Sequence, residues 1–154
     1  MKEEKPIKRD KSLQPLSRGH HHSLLLCWKI RTGFSKGVTA DRIKRYADWF
    51  FEYHIEPHFR QEEKHVFPIL GASHDLVRKA VGEHRKLSRL FKDQDEIEKS
   101  LSLIEEMLES HIRFEERVLF NEIQKTASPL QLDMVTSLHA DHNFVDNTED
   151  EFWK

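Results

Sequence analysis

Two short segments, His58-Phe59-Arg60-Gln61-Glu62 and His111-Ile112-Arg113-Phe114-Glu115, each set an imidazole and a carboxylate four residues apart. On an α-helix that spacing stacks the two side chains on one face, about one turn from each other. Apolar residues continue the face in both directions. Ile97, Leu101, Ile104 and Leu108 lead to His111 and Glu115 in steps of four and three, with Val118 three residues beyond. Ile43, Ala47, Phe51 and Ile55 lead to His58 and Glu62 in a similar way, and Val66 and Ile69 follow. Both glutamates therefore sit where a core is expected. Burying an ionised carboxylate costs several kcal/mol unless an opposite charge goes with it, and a second carboxylate adds repulsion. The pattern places no lysine or arginine on the core face, so a metal ion is the cation that makes the burial tenable.

The rest of the chain reads as helices around these two. Residues 1–16 mix basic and acidic side chains with Pro6 and show no periodicity, which predicts a mobile arm. Ser17 is placed to cap a first helix running to about Thr32, with Gly33 as its stop. Thr39 caps a second, which ends near Pro68 after about 30 residues, roughly 45 Å. Pro57 lies inside it, one residue before His58, and its missing N–H predicts a kink or bulge. That distortion is either a tolerated imperfection or the device that aims His58. Ser73 caps a third helix whose inward stripe is Leu76, Ala80, His84, Leu87 and Phe91, and Gly82 in its middle implies close helix approach or nothing more. A fourth helix carries His111 and Glu115 to about Thr126. Ser128-Pro129 with Gln131 has the spacing of a capping box and opens a shorter fifth helix to about Phe144. The acidic tail, residues 145–154, is expected to fray unless Phe152 and Trp153 dock. With no strand-like alternation, the expectation is an all-α fold: an up-down-up-down antiparallel four-helix bundle over residues 17–144 with a short fifth helix.

Composition excludes several classes of function. The chain has 154 residues, enough for one domain with a sizeable core. A net charge of −2, with basic and acidic side chains interspersed, gives no pull toward nucleic acid. A single cysteine, Cys27, rules out an internal disulfide and cysteine-based zinc or iron–sulfur sites. The opening segment has no apolar stretch like a signal peptide, and no run approaches the roughly 18 apolar residues of a membrane span, so a soluble cytoplasmic protein is expected. Nucleophile elbows, Walker loops and dinucleotide-binding turns are missing.

Histidine is the unusual residue, at 11. On the first helix, at about 100° per residue, Leu24, Leu25 and Trp28 cluster around the direction of His21. His20 and His22 flank that face, and a rotated helix would present one of them instead. The candidate metal ligands are thus His21, His58, Glu62, His84, His111 and Glu115, one or two from each main helix. Imidazole with carboxylate suits iron, and suits zinc or manganese less distinctively. His54 is placed to line the mouth of such a site. His65 and His74 lie near helix ends, and His139 and His142 are expected to face solvent.

His20-His21-His22-Ser23-Leu24-Leu25, His58 to Glu63 running on to Phe67-Pro68, Glu83-His84, and His111 to Glu116 running on to Leu119-Phe120 resemble the hemerythrin-like, or HHE cation-binding, family. The resemblance covers about residues 17–125. It implies a four-helix bundle holding two irons, bridged by an oxo or hydroxo group and by carboxylates that match Glu62 and Glu115, with His21, His58, His84 and His111 as terminal ligands. Oxygen-carrying members have a further histidine four residues before the one matching His84, and here Ala80 stands in that place. This departure implies a substitute ligand, or a position open to water, dioxygen, peroxide or nitric oxide.

The expected partner is accordingly a small diatomic ligand, dioxygen or nitric oxide, or else peroxide, together with a redox or signalling protein. An apolar shell from Trp28, Phe51, Phe91 and Phe114 would limit the access of water. No proton-donating catalytic side chain is legible beside the site, which favours binding for sensing, delivery or protection over turnover. A di-iron peroxidase or oxidase, and an iron-handling or structural metal protein acting through a partner, are the alternatives.

Overall fold

A computed structural model of the chain describes residues 8–138 and 144–154. Among these residues every regular element is helical, as the periodicities require. Helix α1 (Gln14–Ser35) is followed by α2 (Ala40–Phe50), a π turn (Phe51–Ile55), α3 (Glu56–Gln61), a second π turn (Glu62–Val66) and a 3-10 turn (Phe67–Ile69), which together form one continuous stretch. Then come α4 (Asp75–Lys92), α5 (Ile97–Phe114) with a π turn (Glu115–Leu119) and α6 (Phe120–Thr126), and finally α7 (Pro129–Leu138). Helix α5 packs against α1, α4 and α2, and α2 also touches α1 and α4. None of the described helices is long and apolar enough to cross a membrane.

Helix ends follow local chemistry more closely than the expected boundaries do. Helix α1 starts before Ser17, whose hydroxyl is used inside the helix to donate to the Glu116 carboxylate. It also runs past Gly33. The stop is Gly37, at φ +76°, where Gly37 N–H bonds to Phe34 C=O and Val38 N–H reaches back to Gly33 C=O, a Schellman motif. Gly33 is instead a close approach, since a Cβ there would stand 2.8 Å from the Phe152 ring and 2.9 Å from Ile43. Thr39 precedes α2 as expected but makes no side-chain cap. His74 caps α4 in place of Ser73, its Nδ1 accepting from Leu76 N–H at 3.1 Å. Ser128 and Gln131 form the expected reciprocal capping box, at 2.9 and 3.1 Å. The continuation of the fifth helix to Phe144 crosses residues 139–143, and the assignments of His139 and His142 to solvent lie outside the described residues.

The π turns correct the phase of the apolar stripes. From Ile43 to Val66 the stripe advances mostly in steps of four, which on an ideal helix of 3.6 residues per turn would rotate it by about 140°. Two wide turns take up the excess, so Ile43, Ala47, Phe51, Ile55, Glu62 and Val66 are all buried. Pro57 sits in the first turn of α3, directly after the first wide turn, where its missing N–H disturbs the helix least. In the fourth stretch the π turn begins at Glu115 and moves the core face on by one residue. Leu119 is therefore buried, whereas Val118, the residue expected inside, is exposed.

Both ends of the described chain are packed. Where a mobile arm is expected, Leu13 and Leu16 are buried and Arg9 donates to Gln124, Asn121 and the Glu116 carbonyl. Residues 1–7 of that arm lie outside the described residues. At the other end Phe152 and Trp153 dock against Tyr46, their ring centroids 5.9 and 5.0 Å from it. Two lysines are core-facing after all. Lys44 donates to Asp48 and to Phe91 C=O. Lys29 lies 3.9 Å over the Trp153 ring and donates to Asp146 and to the Tyr46 oxygen, while the Tyr46 hydroxyl itself donates to Asp146.

Gly82 is exposed in mid-α4, and a Cβ there would meet nothing within 4 Å. Gly82→Ala is expected to stabilise the fold by about 1 kcal/mol. Gly33→Ala should destabilise it by about 1–3 kcal/mol, because the Phe152 and Ile43 contacts leave no room. Urea unfolding of both variants reads the two signs. Burial opposes the Asp146 charge, but hydrogen bonds from Lys29 and Tyr46 hold its carboxyl below the usual range. That contribution is present at neutral pH and is lost as pH falls through the depressed value. Asp146→Asn should cost on the order of 1–3 kcal/mol at neutral pH and remove this part of the acid sensitivity, followed by tryptophan fluorescence.

Candidate metal centre

The hydrophobic core falls into two clusters, one around Leu26, Ile30, Phe50 and Ile104 and the other around Leu16, Val66, Leu119 and Phe120. Each long helical stretch crosses from one cluster to the other, and at the crossing it carries its imidazoles or carboxylates. The result is a polar layer of His20, His58, Glu62, His84, His111 and Glu115 between two apolar caps. Glu62 and Glu115 are fully buried, and each is the first residue of a π turn.

Ligand-type atoms from these residues converge as two groups that share both glutamates. His20, His58, Glu62 and Glu115 form one; Glu62, His84, His111 and Glu115 form the other, with the atoms of each group within 4.8 Å of one another. Across the layer His111 Nε2 lies 3.0 Å from Glu115 Oε1, His20 Nε2 3.1 Å from the same oxygen, and His84 Nε2 3.2 Å from Glu62 Oε1. His58 Nε2 is 3.4 Å from Glu62 Oε1 and 3.2 Å from His20 Nε2.

The outer nitrogens are tied down. His20 Nδ1 donates to Glu116 at 2.8 Å, His84 Nδ1 to Glu63 at 2.8 Å, and His111 Nδ1 to Glu83 at 2.7 Å. An ionised carboxylate only accepts, so the proton stays on Nδ1 and the Nε2 lone pair is directed inward. Both Glu62 oxygens, Glu115 Oε2, His84 Nε2 and His111 Nε2 are buried without a hydrogen-bond partner. Orphaned buried polar atoms of this density are rare in a folded core and fit a cation that they would share. Rings close the layer: Phe59 stacks on His84 at 3.8 Å, Phe67 at 5.5 Å, and Phe120 stacks on His20 at 5.4 Å.

Burial and the neighbouring Glu115 carboxylate push Glu62 well above its ordinary value. Burial works against ionisation of Glu115 too, but His111 and His20 overcome it and hold that carboxyl well below the usual range. For the imidazoles burial opposes protonation, and the adjoining carboxylates reverse it at His20, which is raised, and at His111, raised to about 9. Burial prevails at His84, and at His58 it is reinforced by His20 beside it, so both are lowered.

Five of the six expected ligands thus meet: His58, Glu62, His84, His111 and Glu115. His21 does not. Its side chain is exposed, and His20 occupies the inward place. The direction read from Leu25 and Trp28 misleads because both are exposed, Trp28 at 47%, while Leu16, Cys27 and Ile30 mark the buried face. Trp28 is accordingly no part of the shell, and Phe59, Phe67 and Phe120 face the imidazoles instead. Ala80 is buried in the second cluster, and the two donor groups have equal numbers of imidazoles. His54 packs on Trp49, Phe50 and Phe144. The carboxylates of Glu63, Glu83 and Glu116 fall within the segments that carry the family resemblance but were given no role there, although each immediately precedes or follows a candidate ligand. Gly19 was missed as well: a Cβ there would stand 2.9 Å from His58 Nδ1, so glycine lets α1 pass close to that ring as it stands.

Compared with known proteins, the chain matches no family model, no curated protein and no solved structure. His20→Ala is expected to cut bound metal, measured by elemental analysis of the purified protein, whereas His21→Ala should leave it unchanged. Loss in His21→Ala with none in His20→Ala would return the inward place to His21.

Proposed function

We propose that the chain is an antiparallel four-helix bundle of the hemerythrin-like kind that holds two iron ions and binds dioxygen or nitric oxide for sensing, delivery or protection. One observation carries the reading: three imidazoles fixed from outside by carboxylates direct Nε2 toward two shared, fully buried glutamates, three of whose four oxygens have no hydrogen-bond partner. Glu62 and Glu115 belong to both donor groups and would bridge. His20 and His58 would hold one ion, His84 and His111 the other. Iron bound there supplies affinity for, and electron transfer to, a small oxygen- or nitrogen-containing ligand. Phe59, Phe67 and Phe120 keep water from the imidazoles, and Glu63, Glu83 and Glu116 retain the Nδ1 protons so that Nε2 remains a donor.

Turnover of peroxide, as a peroxidase or oxidase, is the second reading. It is favoured by the equal donor sets, since two imidazoles and a share of two carboxylates leave room for added ligands at both positions. Metal content and optical spectra separate the two. Iron near two per chain, near-ultraviolet absorption of a ferric pair, and a new visible band when the anaerobically reduced protein meets dioxygen or nitric oxide are the expected results. Many turnovers with peroxide and a reductant would move the assignment to the enzyme. Zinc, or no metal, would leave a structural bundle and remove oxygen chemistry.

A further inference from the structure

The four imidazoles of the centre are not held alike. His20, His84 and His111 each anchor Nδ1 on a carboxylate, at 2.8, 2.8 and 2.7 Å. For His58 no described carboxylate meets Nδ1, which instead faces Gly19. Its side chain is 13% exposed, against 5% for His20, 2% for His84 and 1% for His111. Rings differ in the same sense. His84 is stacked by Phe59 and Phe67 and His111 has the Phe59 edge at 5.8 Å, whereas the ring contact of His58 is with His20. Backbone support differs too: His84 lies deep in the 18-residue α4, while His58 lies on the six-residue α3 between two π turns.

Resting on the two-metal reading above, we infer that the two positions hold their ions unequally: the ion between His84 and His111 is retained, and the ion between His20 and His58 is exchangeable. His58 can turn away from the centre without breaking a hydrogen bond on its outer side. His84 and His111 cannot, because Glu63 and Glu83 would be left behind. An outer carboxylate on a ligating histidine is worth about 10–100-fold in metal affinity, so the two positions differ by about that factor. The chain then passes between a one-metal and a two-metal form as the supply of metal changes. Glu63, Glu83 and Glu116 are positioning residues, acting through the imidazoles they hold.

The test is an anaerobic titration of the metal-free full chain with ferrous iron, together with withdrawal of iron from the loaded protein by a chelator. Two steps separated by about 10–100-fold, and one ion leaving well before the other, are expected. Repulsion between two cations would split the steps even in a symmetric centre, so variants assign them. His58→Ala should abolish the weak step and keep the tight one, with circular dichroism reporting the fold. Glu63→Gln and Glu83→Gln should each weaken the tight step by about 10-fold or more, and Glu116→Gln only the weak step. The inference is overturned if both ions bind in one step, or if His58→Ala and Glu116→Gln weaken the tight step as much as Glu63→Gln does. A wild-type chain that takes up no iron refutes the two-metal reading itself, whereas two ions bound alike leave that reading standing and remove the inequality alone.

Discussion

Glu62 and Glu115 lie side by side with no exposure to solvent, and their mutual repulsion in a medium of low polarity sets the terms for everything around them. Burial and the Glu115 charge raise the Glu62 carboxyl well above its ordinary value, while His111 and His20 beside Glu115 hold that carboxyl low. The two buried lysines take no part, being committed to Asp146 and Asp48 elsewhere in the core. Five polar atoms of the layer nonetheless remain without a hydrogen-bond partner. A cation shared by these atoms would both offset the repulsion of the two carboxylates and occupy the unpartnered lone pairs.

The outer carboxylates follow from helix geometry. In both His-x-x-x-Glu-Glu segments the first glutamate points into the layer, and the second, about 100° further round the helix, reaches the histidine of a neighbour. Glu116 reaches α1 and Glu63 reaches α4, while Glu83 on α4 reaches α5. Three of the four long stretches thus fix the imidazole of another, so the order of the centre is a property of the packed helices and of no single segment. This linkage has one gap, at His58, whose Nδ1 faces Gly19 where the other three imidazoles meet a carboxylate.

Helical class, the number of helical stretches and five of the six residues that meet in the polar layer were legible because they depend on spacing alone. Orientation about the first helix was not. Leu24, Leu25 and Leu26 are consecutive, so apolar residues point in several directions, and the deciding residues were Leu16, Cys27 and Ile30. Boundaries shifted where a tertiary contact competes with a local signal. Gly33 reads as a stop yet serves the approach of Phe152, and Ser17 reads as a cap yet serves Glu116. The packed first turn at Leu13 and Leu16 was hidden by the charged residues around it, since two leucines three apart show no period by themselves.

A signal for the wide turns was nevertheless present. Four residues on an ideal helix advance about 400°, so a histidine and a glutamate at that spacing are already offset by about 40°, and each further step of four adds as much. A stripe that keeps to steps of four across the length of residues 43–66 stays on one face only if the helix holds extra residues in some of its turns. The chain inserts them at Phe51–Ile55, at Glu62–Val66 and at Glu115–Leu119. Two of the three begin at the glutamates themselves, so the carboxylate points into the polar layer while the residues after it return to the apolar cluster beyond. The wide turns are thus how a chelating pair and a continuous hydrophobic face are fitted onto one helix.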